Sequence, residues 1–239
     1  MKLLVSVRSA HEALLAAAGG ADFIDLKEPR HGALGGLPLA TIRDCVAALG
    51  DAEVPISATI GDVPMQAHDE IAARVHAVAD CGVDFVKVGI ENDVAARDVL
   101  TMLAQCGRPV VPVLIADGGL DAALVKYAAS LGFAGLMVDT ADKGVGSLFD
   151  CVPMPALQHF IDNARAASLM CGLAGALRIE HLPRLASLAP DFAGFRTAVC
   201  NGDRSGALDP QRLFALRQAA SGGRDAPISS ARTESSALL

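Results

Sequence analysis

Short runs rich in β-branched and apolar residues alternate along this chain with longer Ala- and Leu-rich stretches, whose apolar positions recur at helical spacing. The alternation occurs eight times. It predicts strands over residues 2–7, 23–27, 55–60, 85–90, 110–116, 135–140, 169–174 and 192–199. It predicts helices near residues 9–18, 38–49, 65–80, 94–105, 120–131, 155–167, 180–188 and 210–220.

Eight strand–helix units in 239 residues predict an α/β protein built as a single (β/α)8 TIM barrel, a fold of about 250 residues. A doubly wound open sheet is the alternative, but no Gly-x-Gly-x-x-Gly follows the first strand. We expect the catalytic barrel to occupy residues 1–220. Beyond Ala220 the composition shifts to Ser, Gly, Arg and Thr, which predicts a flexible, non-catalytic tail over residues 221–239.

Composition and charge narrow the class of partner. The chain has 20 basic and 27 acidic residues, a net charge of −7, one Tyr and no Trp, which argues against a nucleic-acid partner. No apolar stretch approaches the roughly 18 residues of a membrane span. Arg8, His11 and Glu12 interrupt the N-terminal apolar run that resembles a signal peptide. We therefore expect a cytoplasmic protein without a membrane partner.

Cysteine and histidine spacing gives no sign of a metal site. The six cysteines are widely separated without a Cys-x-x-Cys pair, and the six histidines lack metal-ligand spacing. Reduced, buried thiols are the expected state. Because the dinucleotide motif is also missing, we expect neither a metal nor another cofactor.

Lysine is scarce, and its positions are informative. The chain has five lysines: Lys2, Lys27, Lys87, Lys126 and Lys143. In a parallel barrel the chemistry lies at the carboxyl ends of the strands. Three lysines fall there, because Lys27 ends the second predicted strand, Lys87 lies in the carboxyl half of the fourth, and Lys143 follows the sixth.

Strand alternation assigns several of these side chains to the barrel lumen. Ile24 and Leu26 should face the helices, which leaves Asp25 and Lys27 pointing inward. The same count sends Lys87 and Asp139 inward from the fourth and sixth strands, with their apolar neighbours outward.

Clustered lysines favour one neutral amine, since each cation lowers the pKa of its neighbour. A neutral amine can attack a carbonyl and form a Schiff base. Asp25 and Asp139 could hold the remaining ammonium groups and relay protons. The alternative is that Asp25–Lys27 and Asp139–Lys143 are structural ion pairs that close the barrel mouth.

The last two strands suggest an anion site, because their following loops are the usual phosphate seat of this fold. Glycine lets backbone N–H groups approach an anion, and arginine adds guanidinium donors. The candidates are Gly172, Gly175, Arg196, Gly202 and Arg204. The glycines could instead merely turn the chain. A second Gly-rich segment, residues 28–36, could cover the site or be an ordinary connection.

Six segments in order over about residues 1–217 resemble the (5-formylfuran-3-yl)methyl phosphate synthases of methanofuran biosynthesis, part of one-carbon metabolism in methanogens and methylotrophs. The segments are Leu4-Val-Ser6, Asp25-Leu-Lys-Glu-Pro29 with Gly32-Ala-Leu-Gly35, Val86-Lys-Val-Gly89, Asp139-Thr-x-x-Lys143, Gly172-Leu-Ala-Gly175, and Cys200 with Gly202-Asp-Arg204. Asp-Leu-Lys-Glu-Pro is the most specific of them.

The resemblance implies a cofactor-free (β/α)8 lyase that joins two molecules of the triose phosphate glyceraldehyde 3-phosphate, with loss of phosphate and water. It implies that Lys27 is the Schiff-base lysine and that Lys87 is the proton acceptor. Asp25, Asp139 and Lys143 match the other essential polar positions of the family.

Other functions stay open. Decarboxylases of the orotidine-phosphate type also use Asp-x-Lys, but they carry an Asp three residues after the lysine, where this chain has Arg30. A class I aldolase acting on another sugar phosphate shares the Schiff-base chemistry. A non-catalytic barrel that binds a phosphate ligand is a third interpretation. Ala-rich stretches at residues 13–18 and 72–79 favour a homo-oligomer, or serve helix packing on the barrel.

Overall fold

The computed structural model describes residues 1–31, 34–50, 52–141 and 146–222, and these form a closed parallel barrel. Each strand pairs with the next in sequence, and the last strand pairs with the first. The predicted (β/α)8 fold is therefore confirmed. The strands are β1 (Lys2–Val7), β2 (Phe23–Leu26), β3 (Ile56–Thr59), β4 (Phe85–Ile90), β5 (Val110–Ile115), β6 (Gly135–Asp139), β7 (Met170–Leu173) and β8 (Phe192–Phe195).

Helices follow the strands and cover the outside of the barrel. They are α1 (Ala10–Ala18), α2 (Leu39–Leu49), α3 (His68–Ala79), α4 (Ala96–Gln105), α5 (Ala122–Ala129), α6 (Leu148–Cys151), α7 (Met154–Ala166), α8 (Leu182–Leu188) and α9 (Pro210–Gly222). Side-chain caps start at least three of them. Ser9 accepts from the amide of Glu12, and Asp121 accepts from the amides of Ala123 and Leu124. Asp209 accepts from the amides of Gln211 and Arg212 at the start of α9. Among the described residues, no helix is long and apolar enough to cross a membrane.

Apart from small shifts of element ends, two differences from the predicted elements affect the loops near the site. The eighth strand ends at Phe195, and Thr197–Val199 form a 3-10 helix instead of continuing it. Val199 is buried in that turn, so an apolar residue is covered there although the backbone has left the sheet. The short helix α6 was not predicted, since its four residues are too few for a helical period.

The core has two parts, and strand alternation separates them. Ile24, Leu26, Val86 and Val88 belong to the large cluster between the barrel and the helices. A second cluster fills the lumen: Leu4, Phe23, Leu34, Val111, Val113, Met137, Ala174 and Phe192. The predicted inward and outward faces of β2 and β4 are therefore confirmed.

Candidate active site

Four predicted site residues meet inside the barrel near the carboxyl ends of the strands. Asp25 lies on β2 beside Ser6 of β1 in the strand register, Lys27 follows β2 directly, Lys87 lies on β4, and Asp139 ends β6. Their exposed fractions are 1% for Asp25 and Asp139, 2% for Lys87 and 7% for Lys27. Two carboxylates and two amines are thus clustered in one buried region of the barrel. Lys143, the fifth predicted catalytic residue, lies outside the described residues.

Asp25 is the centre of this cluster. Its Oδ1 accepts hydrogen bonds from Lys87 Nζ and Ser57 Oγ, each at 2.8 Å, and its Oδ2 accepts from Ser6 Oγ at 3.0 Å. Lys27 Nζ lies 3.7 Å from the same Oδ2. Burial raises the pKa of Asp25, but the charges of Lys87 and Lys27 outweigh burial and lower it to about 2. Asp25 is therefore a fixed negative charge at neutral pH.

Ser6 and Ser57 were missed as site residues at the sequence level. They lie beside Asp25 in the register of β1, β2 and β3, so the three side chains point into the lumen at one level. The signal was available in the alternation of β1 and β3, where each serine is a polar residue among apolar ones.

Lys27 is the amine that faces the open cleft. Its Nζ lies between two carboxylates, 3.7 Å from Asp25 Oδ2 and 3.6 Å from Asp139 Oδ2. Lys27 and Asp139 line a cleft at the mouth of the barrel, together with Gly175 and Arg204. The Asp139 carboxylate is oriented by the amide of Thr140, which donates to Oδ1 at 2.8 Å. A carbonyl compound in this cleft would meet the Lys27 amine first.

Lys87 lies deeper. It lines a small interior cavity with aromatic residues of the barrel floor, among them Phe23, Phe85 and Phe192. Burial lowers the pKa of Lys87, and the nearby charge of Asp25 compensates only in part. An amine with a lowered pKa, hydrogen-bonded to a fixed carboxylate, is suited to accepting a proton.

Three of the five predicted anion-binding residues line the cleft: Gly175, Arg196 and Arg204. Gly175 has a φ of +120°, and a Cβ there would lie 2.9 Å from Thr140 Oγ1, so both backbone conformation and space require glycine. Gly202 lies instead in a neighbouring depression with Arg178 and Arg212.

Arg196, a predicted phosphate ligand, lines the cleft, but protein acceptors use all five of its N–H groups in this structure. Nη1 donates to Glu12 Oε2 at 2.6 Å and to the carbonyl of Ser6, and Nη2 donates to Glu12 Oε1 and the carbonyl of Gly206. Nε donates to the carbonyl of Arg204. Arg196 therefore ties the loop after β8 to β1 and α1, and has no N–H left for an anion.

Gly172, another predicted anion-binding residue, is not among the residues that line the cleft. It lies within β7, and a Cβ at this position would overlap the ring of Phe192 on β8. Glycine is needed at this position to make room for an aromatic side chain in the barrel floor, which explains it without any bound anion.

The chain is similar in sequence to proteins of one family. Residues 3–217 match the family model of 4-HFC-P synthase. A protein of Methylorubrum extorquens is 40% identical over 215 residues, which are 89% of this chain and 88% of that protein. A (5-formylfuran-3-yl)methyl phosphate synthase of Methanosarcina mazei is 36% identical over 219 residues, covering 86% of this chain and 93% of its own length.

Solved structures support the fold. The phosphoribosyl anthranilate isomerase of Thermus thermophilus superposes with a TM-score of 0.67 at 17% identity, covering 94% of this chain and all of its own. A 3-hexulose-6-phosphate synthase superposes with a TM-score of 0.61 at 21% identity, covering 90% of this chain and 99% of its own. At these identities the likeness concerns the barrel alone.

Proposed function

Because this chain belongs to the 4-HFC-P synthase family, we propose that it is an enzyme that forms (5-formylfuran-3-yl)methyl phosphate. We further propose that it is a lyase acting on two molecules of glyceraldehyde 3-phosphate. Their condensation to the furan releases one phosphate and two water molecules, so it needs no oxidant or reductant. The observation that carries the proposal is the pair of buried amines, Lys27 and Lys87, on either side of the Asp25 carboxylate.

Lys27 is the proposed Schiff-base residue. Its amine lines the cleft at the mouth of the barrel, where an aldehyde can reach it, and loss of water would give an imine. The imine makes the hydrogen on the adjacent carbon acidic. Asp25 and Asp139, each within 3.7 Å of Lys27 Nζ, would stabilise the positive charge of the imine.

Lys87 is the proposed proton acceptor. Its lowered pKa favours the neutral form that can remove the proton beside the imine, and the Asp25 carboxylate would stabilise the ammonium that results. The enamine left behind attacks the aldehyde carbon of the second molecule. Elimination of phosphate and water then leads to the aromatic furan.

Arg204 and Gly175 are the proposed phosphate contacts, since both line the cleft that Lys27 faces. Gly175 leaves its backbone without a side chain at this point, and Arg204 brings a guanidinium group. Arg196 would act only indirectly, by holding the carbonyl of Arg204 at 2.9 Å.

The proposal is tested with the full chain, glyceraldehyde 3-phosphate and borohydride, followed by intact mass and by detection of the furan product. Wild type should form both a covalent adduct and the furan, and Lys27→Ala should form neither. Lys126→Ala is the matched control, because Lys126 is an exposed lysine on α5, and it should behave as wild type.

Other outcomes would select the alternatives. An adduct that persists in Lys27→Ala would contradict the assignment of that lysine. A hexose phosphate in place of the furan would identify a class I aldolase. If neither the adduct nor the furan forms, the interpretation that remains is a non-catalytic barrel.

A further inference from the structure

One side chain inside the barrel comes from a loop. Leu34 belongs to the segment between β2 and α2, yet it is only 4% exposed and packs in the lumen cluster with Val113 and Met137. The other members of that cluster lie on strands or, for Ala174, directly after one. The loop thus inserts an apolar side chain into the mouth of the barrel.

Leu34 fits a space that β4 leaves open. Gly89 is the next inward position on β4 after Lys87, and a Cβ on Gly89 would lie 2.7 Å from Leu34 Cδ1. The glycine and the leucine are therefore complementary in size. Gly35, the residue after Leu34, is held by two hydrogen bonds: Thr59 Oγ1 donates to its carbonyl at 3.0 Å and the amide of Glu28 donates to the same carbonyl at 2.8 Å.

An outer groove is lined by Leu34 and Gly89 together with residues after β3 such as Ile60 and Met65. Lys87, one inward position below Gly89, lines the interior cavity instead. We infer that Leu34 is a positioning residue for Lys87: seated over Gly89, it keeps water of the outer groove away from the Lys87 amine.

Leu34 carries no charge, so its effect on Lys87 should come from the hydration of the Lys87 amine. Within the described residues, the charged groups with the largest effects on Lys87 are Asp25, Lys27 and Asp139. The neighbouring strands β3 and β5 present uncharged side chains at this level: Ser57, Thr59, Val111 and Val113. Burial is the largest influence on the pKa of Lys87 and lowers it, so water admitted above Lys87 should raise it. The importance of Leu34 for catalysis rests on the proposed function.

The direct test is an NMR titration of the full chain carrying ¹³C-labelled lysine, which has only five lysines to resolve. Lys87→Arg assigns the Lys87 signal. We expect Leu34→Ala to raise the Lys87 midpoint by about one pH unit or more. Leu37→Ala is the matched control, because Leu37 is buried in the same segment but packs in the outer cluster, and it should leave the midpoint unchanged. Equal midpoints in wild type and Leu34→Ala, or an equal shift in Leu37→Ala, would overturn the inference.

A second pair of variants covers the case in which Leu34→Ala does not fold. Gly89→Ala should displace Leu34 and raise the Lys87 midpoint, and Leu34→Val in the same chain should bring it back toward the wild-type value by removing the clashing Cδ1. A Gly89→Ala midpoint equal to that of wild type would contradict the role of Leu34.

Activity gives an independent readout. If Lys87 must be neutral for the reaction, the acidic limb of the pH profile of furan formation should move to higher pH in Leu34→Ala, together with the Lys87 midpoint. A limb that stays in place while the midpoint moves would overturn the role of Leu34 in the reaction. Absence of furan from wild type would instead refute the proposed function, and the titration would still decide whether Leu34 shields Lys87.

Discussion

Replacing Arg196 by methionine distinguishes a structural clamp from a phosphate ligand. In the structure the guanidinium bonds both oxygens of Glu12 and three backbone carbonyls. Glu12 in turn accepts from the amides of Arg8 and Leu208, at 3.1 and 3.2 Å. Burial raises the pKa of Glu12, but the hydrogen bond and charge of Arg196 outweigh burial and lower it. The pair therefore joins α1, β1 and the loop after β8 through one buried contact.

The expected loss of stability in Arg196→Met comes from the carboxylate that loses its partner. Glu12 would remain buried without its cation, and removing one partner of a buried ion pair costs about 3–5 kcal/mol of unfolding free energy. For a domain of this size each kcal/mol lowers the Tm by about 2–4 °C. We therefore expect Arg196→Met to melt about 6–20 °C below wild type, with a smaller loss when Glu12→Leu is added, because no unpaired charge is then buried.

Arg217→Met is the matched control. Arg217 pairs with Asp22 at 2.8 Å, but the two side chains are 38% and 27% exposed, so their pair should contribute only about 0–1 kcal/mol. Thermal denaturation followed by circular dichroism measures all four chains, and the KM for glyceraldehyde 3-phosphate is measured in parallel. A Tm for Arg196→Met within about 2 °C of wild type, together with a KM raised about tenfold, would refute the clamp and restore Arg196 as a phosphate ligand.

Three further predictions follow from the lumen. The pKa of Asp25 falls from 3.8 to about 2 on folding, so its charge should contribute about 2 kcal/mol to the unfolding free energy above pH 4. This contribution should be lost as the pH falls toward 2. In calorimetry over this acid range, the unfolding free energy of Asp25→Asn should lack this pH dependence. Gly172→Ala should displace the Phe192 ring and cost about 1–3 kcal/mol in chemical denaturation, and an unchanged midpoint would contradict the packing role. Lys87→Met should abolish furan formation while Lys27 still forms the borohydride adduct, and loss of the adduct by intact mass would mean that the two amines do not have separate roles.

Sequence periodicity predicted the fold closely. All eight strands begin within one residue of their predicted starts, and the alternation in β2 and β4 placed Asp25 and Lys87 in the lumen. The prediction was wrong at residues 196–199, which leave the sheet after β8. The family resemblance that the motifs carried is confirmed over residues 3–217.

The amino-acid sequence by itself determined the order of strands and helices, the face on which each strand residue lies and the family, because these depend on spacing of a few residues and on short motifs. Only the tertiary structure decided which distant residues contact one another. Arg196 meets a carboxylate 184 positions away, and Gly172 meets Phe192 from the adjacent strand. Leu34 reaches the lumen from a loop that no strand period describes. Such contacts form only when the barrel closes and brings distant residues together, so spacing along the chain cannot specify them.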